Sequence, residues 1–82
     1  MNETREGMAI FAENISIMLR KAIKEAMETK GVSQVELASF LGISTPSMSN
    51  YLSGKRKISI ENIEKALVYL GLKIVLKDKE LD

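Results

Sequence analysis

The chain contains no cysteine and no histidine. The first absence excludes disulfides and thiolate metal sites. The second removes the commonest general base and the commonest metal ligand. No Gly-rich phosphate loop and no cluster of metal-ligating residues is present either. Catalysis would have to come from carboxylates, Lys, Ser or Tyr. Glu25 and Glu28 share a helical face with Lys21 and Lys24, which makes solvated i, i+4 pairs rather than a catalytic carboxylate site. An enzyme is therefore not expected, and neither a cofactor nor a metal is implied. No apolar run approaches the ~20 residues of a membrane span, and no signal peptide is visible. A cytoplasmic protein without a membrane partner is expected.

What is present points to helices. Apolar residues make up 45% of the chain but aromatic ones only 5%, so the core has to be built from Ala, Ile, Leu and Met. Its 82 residues allow one small domain and no second core. A domain of that size is marginally stable alone, and dimerisation is a natural support. Net charge is only +1 and says nothing about a partner. Its distribution says more. No acidic residue occurs from Leu37 to Ile60, while Lys55, Arg56 and Lys57 lie together. A polar, acid-free face beside a basic cluster is what a phosphate-contacting surface requires; a solvated loop with three bases by chance is the ordinary alternative.

Residues 33–54, SQVELASFLGISTPSMSNYLSG, carry the densest pattern. Ser33 is a candidate N-cap, with Glu36 placed three residues on to complete a capping box. Leu37 and Leu41 form an inward face at i, i+4 spacing, and Ala38 is small where a second helix has to come close. Gly42 stands where the chain must leave the helix, a position expected to need φ > 0. Ile43 plugs the gap beneath the turn. Ser44 or Thr45 then caps a second helix, and Pro46 suits its first turn, where no backbone N–H is needed. Met48 and Tyr51 or Leu52 face inward, and Gly54 ends the helix. The two helices are expected over 33–42 and 44–53.

On either side the pattern is simpler. Residues 1–7 are polar and read as a frayed end. Met8, Phe11, Ile15, Met18, Leu19, Ala22, Ile23, Ala26 and Met27 follow a helical stripe. It reads either as one long helix or as one broken near Asn14, a candidate N-cap; the favoured reading is a helix over 14–30 with a helical lead-in before it and Gly31 as its stop. Ser59 is a candidate N-cap for a fourth helix, with Glu61 in its first turn favoured by the helix dipole. Ile60, Ile63, Leu67 and Leu70 are its expected buried face, and Gly71 its stop. Beyond Gly71 the period becomes two: Leu72, Ile74 and Leu76 alternate with Lys73, Val75 and Lys77, the pattern of a strand. One strand cannot satisfy its own ladder. The expectation is therefore antiparallel pairing of 72–77 with the same segment of a second subunit across a two-fold axis; a tail lying over the core is the alternative.

The motif resembles the phage-repressor family, the Cro and lambda-repressor type of helix-turn-helix. The resemblance rests on Gln34, Leu37-Ala38, Leu41-Gly42-Ile43-Ser44 and Gly54-Lys55-Arg56-Lys57, and continues through SIENIEKALVYLGL, covering residues 15–72. It implies an all-α fold: a lambda-repressor-like DNA-binding bundle of four to five helices, here with a short C-terminal β-strand pairing in a dimer. The whole chain, 1–82, is then one domain with its core at 14–71. It implies binding to a double-stranded DNA operator, with the second motif helix in the major groove and two subunits on a near-palindrome. The setting would be the bacterial or phage nucleoid.

The family's contacts carry over to particular positions. The resemblance gives Gln34 a phosphate contact and a bracing role beside the base-reading residues. It gives Ser44, Thr45, Ser47 and Asn50 base-edge or phosphate contacts. Thr45 has a hydroxyl and a methyl for thymine, and Asn50 has the donor–acceptor pair that suits adenine. For Ser44 capping alone is an equal explanation, and Ser49 is expected half-buried. Pro46 departs from the family's frequent Gln or Arg and leaves only apolar contact there. Lys55, Arg56 and Lys57 grip phosphates. Val35 and Phe40 are apolar where the family usually has polar residues; Phe40 is expected to cover the domain's own core around Met8–Phe11, or to meet a bound protein. Three functions remain open. One is a dimeric repressor. The second is an antitoxin that binds a toxin protein through residues such as Phe40 or Phe11 and also binds its own promoter. The third is an interaction module that has lost DNA affinity.

Overall fold

The computed structural model describes residues 2–73, with side chains from Asn14 onward. The described residues form four helices, α1 (Asn2–Lys30), α2 (Gln34–Leu41), α3 (Thr45–Leu52) and α4 (Ile60–Tyr69). Their boundaries are set by side-chain caps. Ser33 Oγ accepts the Glu36 N–H at 3.0 Å, Ser44 Oγ accepts that of Ser47 at 3.1 Å, and Ser59 Oγ accepts that of Asn62 at 3.1 Å. Each satisfies one of the donors that a helix start leaves unpaired. Ser44, not Thr45, is the cap of α3.

The core is formed by Ile23, Ala26 and Met27 of α1, Leu37, Ala38 and Leu41 of α2, Met48, Tyr51 and Leu52 of α3, and Ala66, Leu67 and Leu70 around α4. α2 packs on α3 and on α4, and α1 packs on α3. Ile43 fills the space beneath the turn and packs against this core. Gly42 closes α2 with φ 75°, and its N–H and that of Ile43 return to carbonyls of Ser39 and Ala38. This backbone region carries a steric penalty for any residue with a Cβ. At the far end of the molecule, Lys30 Nζ donates to the Leu70 carbonyl, placing a cation on the C-terminus of α4, where the helix dipole favours it.

Several expectations need correction. α1 is a single helix from Asn2, so the helical lead-in is continuous with the helix expected from Asn14, and residues 2–7, expected to fray, belong to it as well. Asn14 lies inside it, so its side chain has no helix start to cap; the preceding stretch of Glu, Arg, Met and Ala is good helix-forming sequence. Four helices among the described residues agree with the expected four to five. Ile60, expected on the buried face of α4, is 77% exposed. It is the first residue of that helix, past the edge of the packing that covers Ala66, Leu67 and Leu70. Ser49 is exposed rather than half-buried. Half of the capping box forms: Glu36 does not turn back to Ser33, because its carboxylate accepts from the Tyr69 hydroxyl on α4.

The expected strand does not begin at Leu72. Leu72 donates its N–H to the Leu67 carbonyl at 2.8 Å, closing α4, and its side chain packs against the core. No strand occurs among the described residues. Ile74, Leu76 and the rest of the segment past Lys73 lie outside them.

The turn gives a separable test of backbone and packing. A Cβ at Gly42 would meet no atom within 4 Å, so Gly42→Ala is expected to cost only the left-handed backbone penalty, about 1 kcal/mol. Leu37→Ala, in a fully buried site, should cost about 2–5 kcal/mol. Urea unfolding of the two variants measures both.

Candidate nucleic-acid interface

The start of α3 is a small network of hydroxyls. Ser44 and Ser47 face each other across the first turn. Ser44 Oγ accepts the Ser47 N–H and donates its own proton to Ser47 Oγ at 2.9 Å. Ser44 is thereby committed to capping. Ser47 accepts from Ser44 and keeps its own proton to donate outward. Between them Thr45 and Pro46 are both exposed, with Pro46 in the first turn of the helix. Further along the helix Ser49 and Ser53 are exposed and Asn50 is half-buried.

The other end of α3 is held by one carbonyl. The Asn50 backbone oxygen accepts from Lys55 N–H at 2.8 Å and Arg56 N–H at 3.2 Å, and from Ser53 Oγ at 3.1 Å. These bonds fold the basic loop back against the helix C-terminus. Lys55, Arg56 and Lys57 are all exposed. Gln34, the first residue of α2, is exposed at that helix's N-terminus. The structure thus places Thr45, Pro46, Ser47 and Asn50 on one short helix with Ser44 as its cap and Lys55–Lys57 directly after it. Glu36, at the start of α2, is turned toward Tyr69.

A model of the helix-turn-helix family, of the Cro/C1 type, matches residues 23–76, well over half of the chain. The chain belongs to this family. The matched span runs from the middle of α1 to just past α4. It marks a domain of a DNA-binding regulatory family. A search of curated proteins and a search of solved structures each found no match. Among the described residues no helix is long and apolar enough to cross a membrane.

Two further clusters in this helix-turn-helix domain were not visible along the chain. On the outer side of α2, Phe40 stacks on Tyr69 with ring centroids 4.5 Å apart, and the Tyr69 hydroxyl donates to Glu36. That hydrogen bond is the main reason the Tyr69 phenol titrates above the ordinary tyrosine value, with burial and the Glu36 charge adding to it. Phe40 is therefore tied to α4 and remains 48% exposed. The side chains of Met8 and Phe11, its expected partners, lie outside the described residues.

The second cluster is a groove of about 550 Å³ between α1, the loop after α3 and α4, with Ile15, Leu19, Ile58, Ile60, Ile63 and Leu67 among its walls. Tyr51 and Arg20 also line it. The Tyr51 hydroxyl is buried and has no hydrogen-bond partner. Burial raises its pKa above the ordinary value and the nearby Arg20 charge works against that rise. Arg20 lies against Gly54, where a Cβ would stand 3.3 Å from the guanidinium carbon. Gly54 also has φ 84°, so the backbone favours glycine there, and a side chain would have to displace the Arg20 guanidinium by a few tenths of an ångström. Nothing in the order of residues signals that Arg20 meets a glycine 34 positions later.

The tyrosines make a pH test. Their folded pKa values lie above the ordinary 10.0. Below pH 10 both states hold these protons and stability does not depend on them. As pH rises past 10 the unfolded chain ionises first, so stability falls with pH until the folded phenols also ionise. Tyr51→Phe removes a hydroxyl that has no partner. It is expected to leave stability at neutral pH unchanged or raised by up to about 1 kcal/mol, and to weaken the alkaline decline. Urea midpoints across the alkaline range, with phenolate absorbance followed in parallel, measure both.

Proposed function

We propose that this DNA-binding transcription regulator is a dimeric repressor that reads a double-stranded operator with α3 in the major groove. The observation that carries the reading is the make-up of α3. Its start and outer side expose hydroxyl and amide groups, no acid lies between Leu37 and Ile60, and three exposed cations follow it. Thr45 and Asn50 are assigned to base edges, Asn50 suiting adenine and Thr45 the thymine methyl. Pro46 adds apolar contact. Ser47, with its free proton, and Gln34 are assigned to phosphates, as are Lys55, Arg56 and Lys57. Ser44 supports the helix start and touches DNA only through its backbone neighbourhood. With no Arg or Lys on α3 itself, bidentate reading of guanine is absent from the design. Discrimination then rests on few groups.

The dimer is assigned to the segment after α4. Leu72 anchors it to the domain's own core, so pairing with a second copy would start beyond Lys73 and use Ile74 and Leu76. Truncation after Lys73 is expected to lower the mass seen by light scattering; an unchanged dimer would remove this part of the proposal.

A second reading, an antitoxin that binds a toxin protein as well as its promoter, is favoured by one observation. Val35 is 64% exposed and Phe40 is only partly covered by Tyr69, both on the outer side of α2. A small toxin gene directly adjacent to this one would favour it over the repressor.

Selection of bound fragments from random duplex DNA tests binding, symmetry and half-site spacing together. If each subunit neutralises three or four phosphates, the slope of log affinity against log salt for a dimer should be roughly −5 to −7. Replacing Lys55, Arg56 and Lys57 should flatten it, whereas a slope near zero in the parent protein would take them out of the interface. Asn50→Ala should cost about 1–3 kcal/mol and relax one operator position. An even loss over all sequences would assign Asn50 to positioning instead.

A further inference from the structure

The groove beside Tyr51 has the features of a small-molecule site. Its volume of about 550 Å³ falls in the range of ligand pockets, and isoleucines and leucines form much of its wall alongside polar groups. Two of those polar groups are donors without an acceptor. The Tyr51 hydroxyl is a donor with no acceptor on a residue only 3% exposed. Arg20, which lines the same groove, carries a donor fork, and none of the side-chain hydrogen bonds among the described residues involves it. A buried donor without an acceptor is costly, and an acceptor-only group entering the groove would serve both donors. A guanidinium fork matches a carboxylate in shape and charge. The rim adds Lys55, Arg56 and Lys57 against a single acid, Glu64.

The apolar side is equally one-sided. Ile60 stands exposed at the lip of the groove, and Ile58, Ile63 and Leu67 continue from it. An exposed Ile at the first position of a helix gains nothing from water; an alkyl chain laid against it would remove it from solvent.

We propose that this groove binds a small amphiphilic carboxylate, its head group on Arg20 and Tyr51 and its hydrocarbon chain along Ile58, Ile60 and Ile63. The groove shares Lys55, Arg56 and Lys57 with the proposed phosphate-contacting loop but not the outer face of α3, and binding of a ligand in the absence of DNA does not depend on the DNA-binding reading. The test therefore uses the full chain without DNA. Dodecanoate is titrated calorimetrically, with dodecyltrimethylammonium (same chain, opposite head) and butyrate (same head, short chain) as comparisons. The expected result is saturable binding of one dodecanoate per chain, with both comparisons much weaker. Arg20→Gln should weaken dodecanoate about tenfold or more, the loss of one charge-assisted hydrogen bond. Ile60→Ser, at an exposed position that the fold does not need, should weaken it several-fold. The proposal is overturned if dodecanoate shows no saturable binding, if dodecyltrimethylammonium binds as tightly, or if either variant leaves the affinity unchanged. Binding of an acidic apolar peptide in place of dodecanoate would likewise overturn it and assign the groove to a protein partner.

Discussion

The close crossing of α2 and α3 over the Gly42 turn is the constraint on which the rest of the molecule depends. Two eight-residue helices are too short to be stable alone. They persist because Leu37 and Ala38 on one and Met48 and Leu52 on the other are withdrawn from water together. Ala38 allows the approach by having almost no side chain. Gly42 allows it by adopting φ 75°, so that the chain reverses within three residues and α3 starts at Ser44. A bulkier residue at Ala38 would push α3 away, and any residue with a Cβ at Gly42 would strain the turn that leads into it.

The same crossing divides α3 into two chemistries. Its inner side is Met48, Tyr51 and Leu52, all buried. Its outer side is hydroxyls, one proline and one amide. The division is reinforced at both ends by hydrogen bonds. The Ser44–Ser47 pair fixes the start, and the Asn50 carbonyl gathers Lys55, Arg56 and Ser53 at the end. Helix orientation, cap and basic loop are therefore one unit. This is the arrangement a groove-reading helix needs, because base-edge contacts require side chains held in place rather than searching.

Most of the central fold was legible along the chain. The three serine caps, the inward residues of the motif and the Gly42 turn follow from local rules that act within four residues, and each appears where those rules place it. What failed did so where distance along the chain was large or an end was involved. Ile60 fits the apolar period of α4 but lies beyond the surface that would cover it. Glu36 fits a capping box, yet a tyrosine 33 residues later claims its carboxylate. Leu72 fits an alternating strand, but its N–H is used to close α4. Phe40 finds Tyr69, a partner no local pattern indicates. At the candidate interface, the exposure of Thr45, Pro46 and Lys55–Lys57 was legible, whereas the division of labour between Ser44 and Ser47 depended on which hydroxyl faced the other.

The order of residues by itself determined the helices, their caps, the tight turn and the acid-free stretch from Leu37 to Ile60, because caps, periodicity and left-handed glycine are short-range effects. Only the tertiary structure decided that Arg20 would lie against Gly54 and share a groove with Tyr51, that Lys30 would donate to the end of α4, and that Ile60 would stand exposed beside that groove. Those outcomes are set by which helix faces meet, and that depends on the packing of all four helices at once.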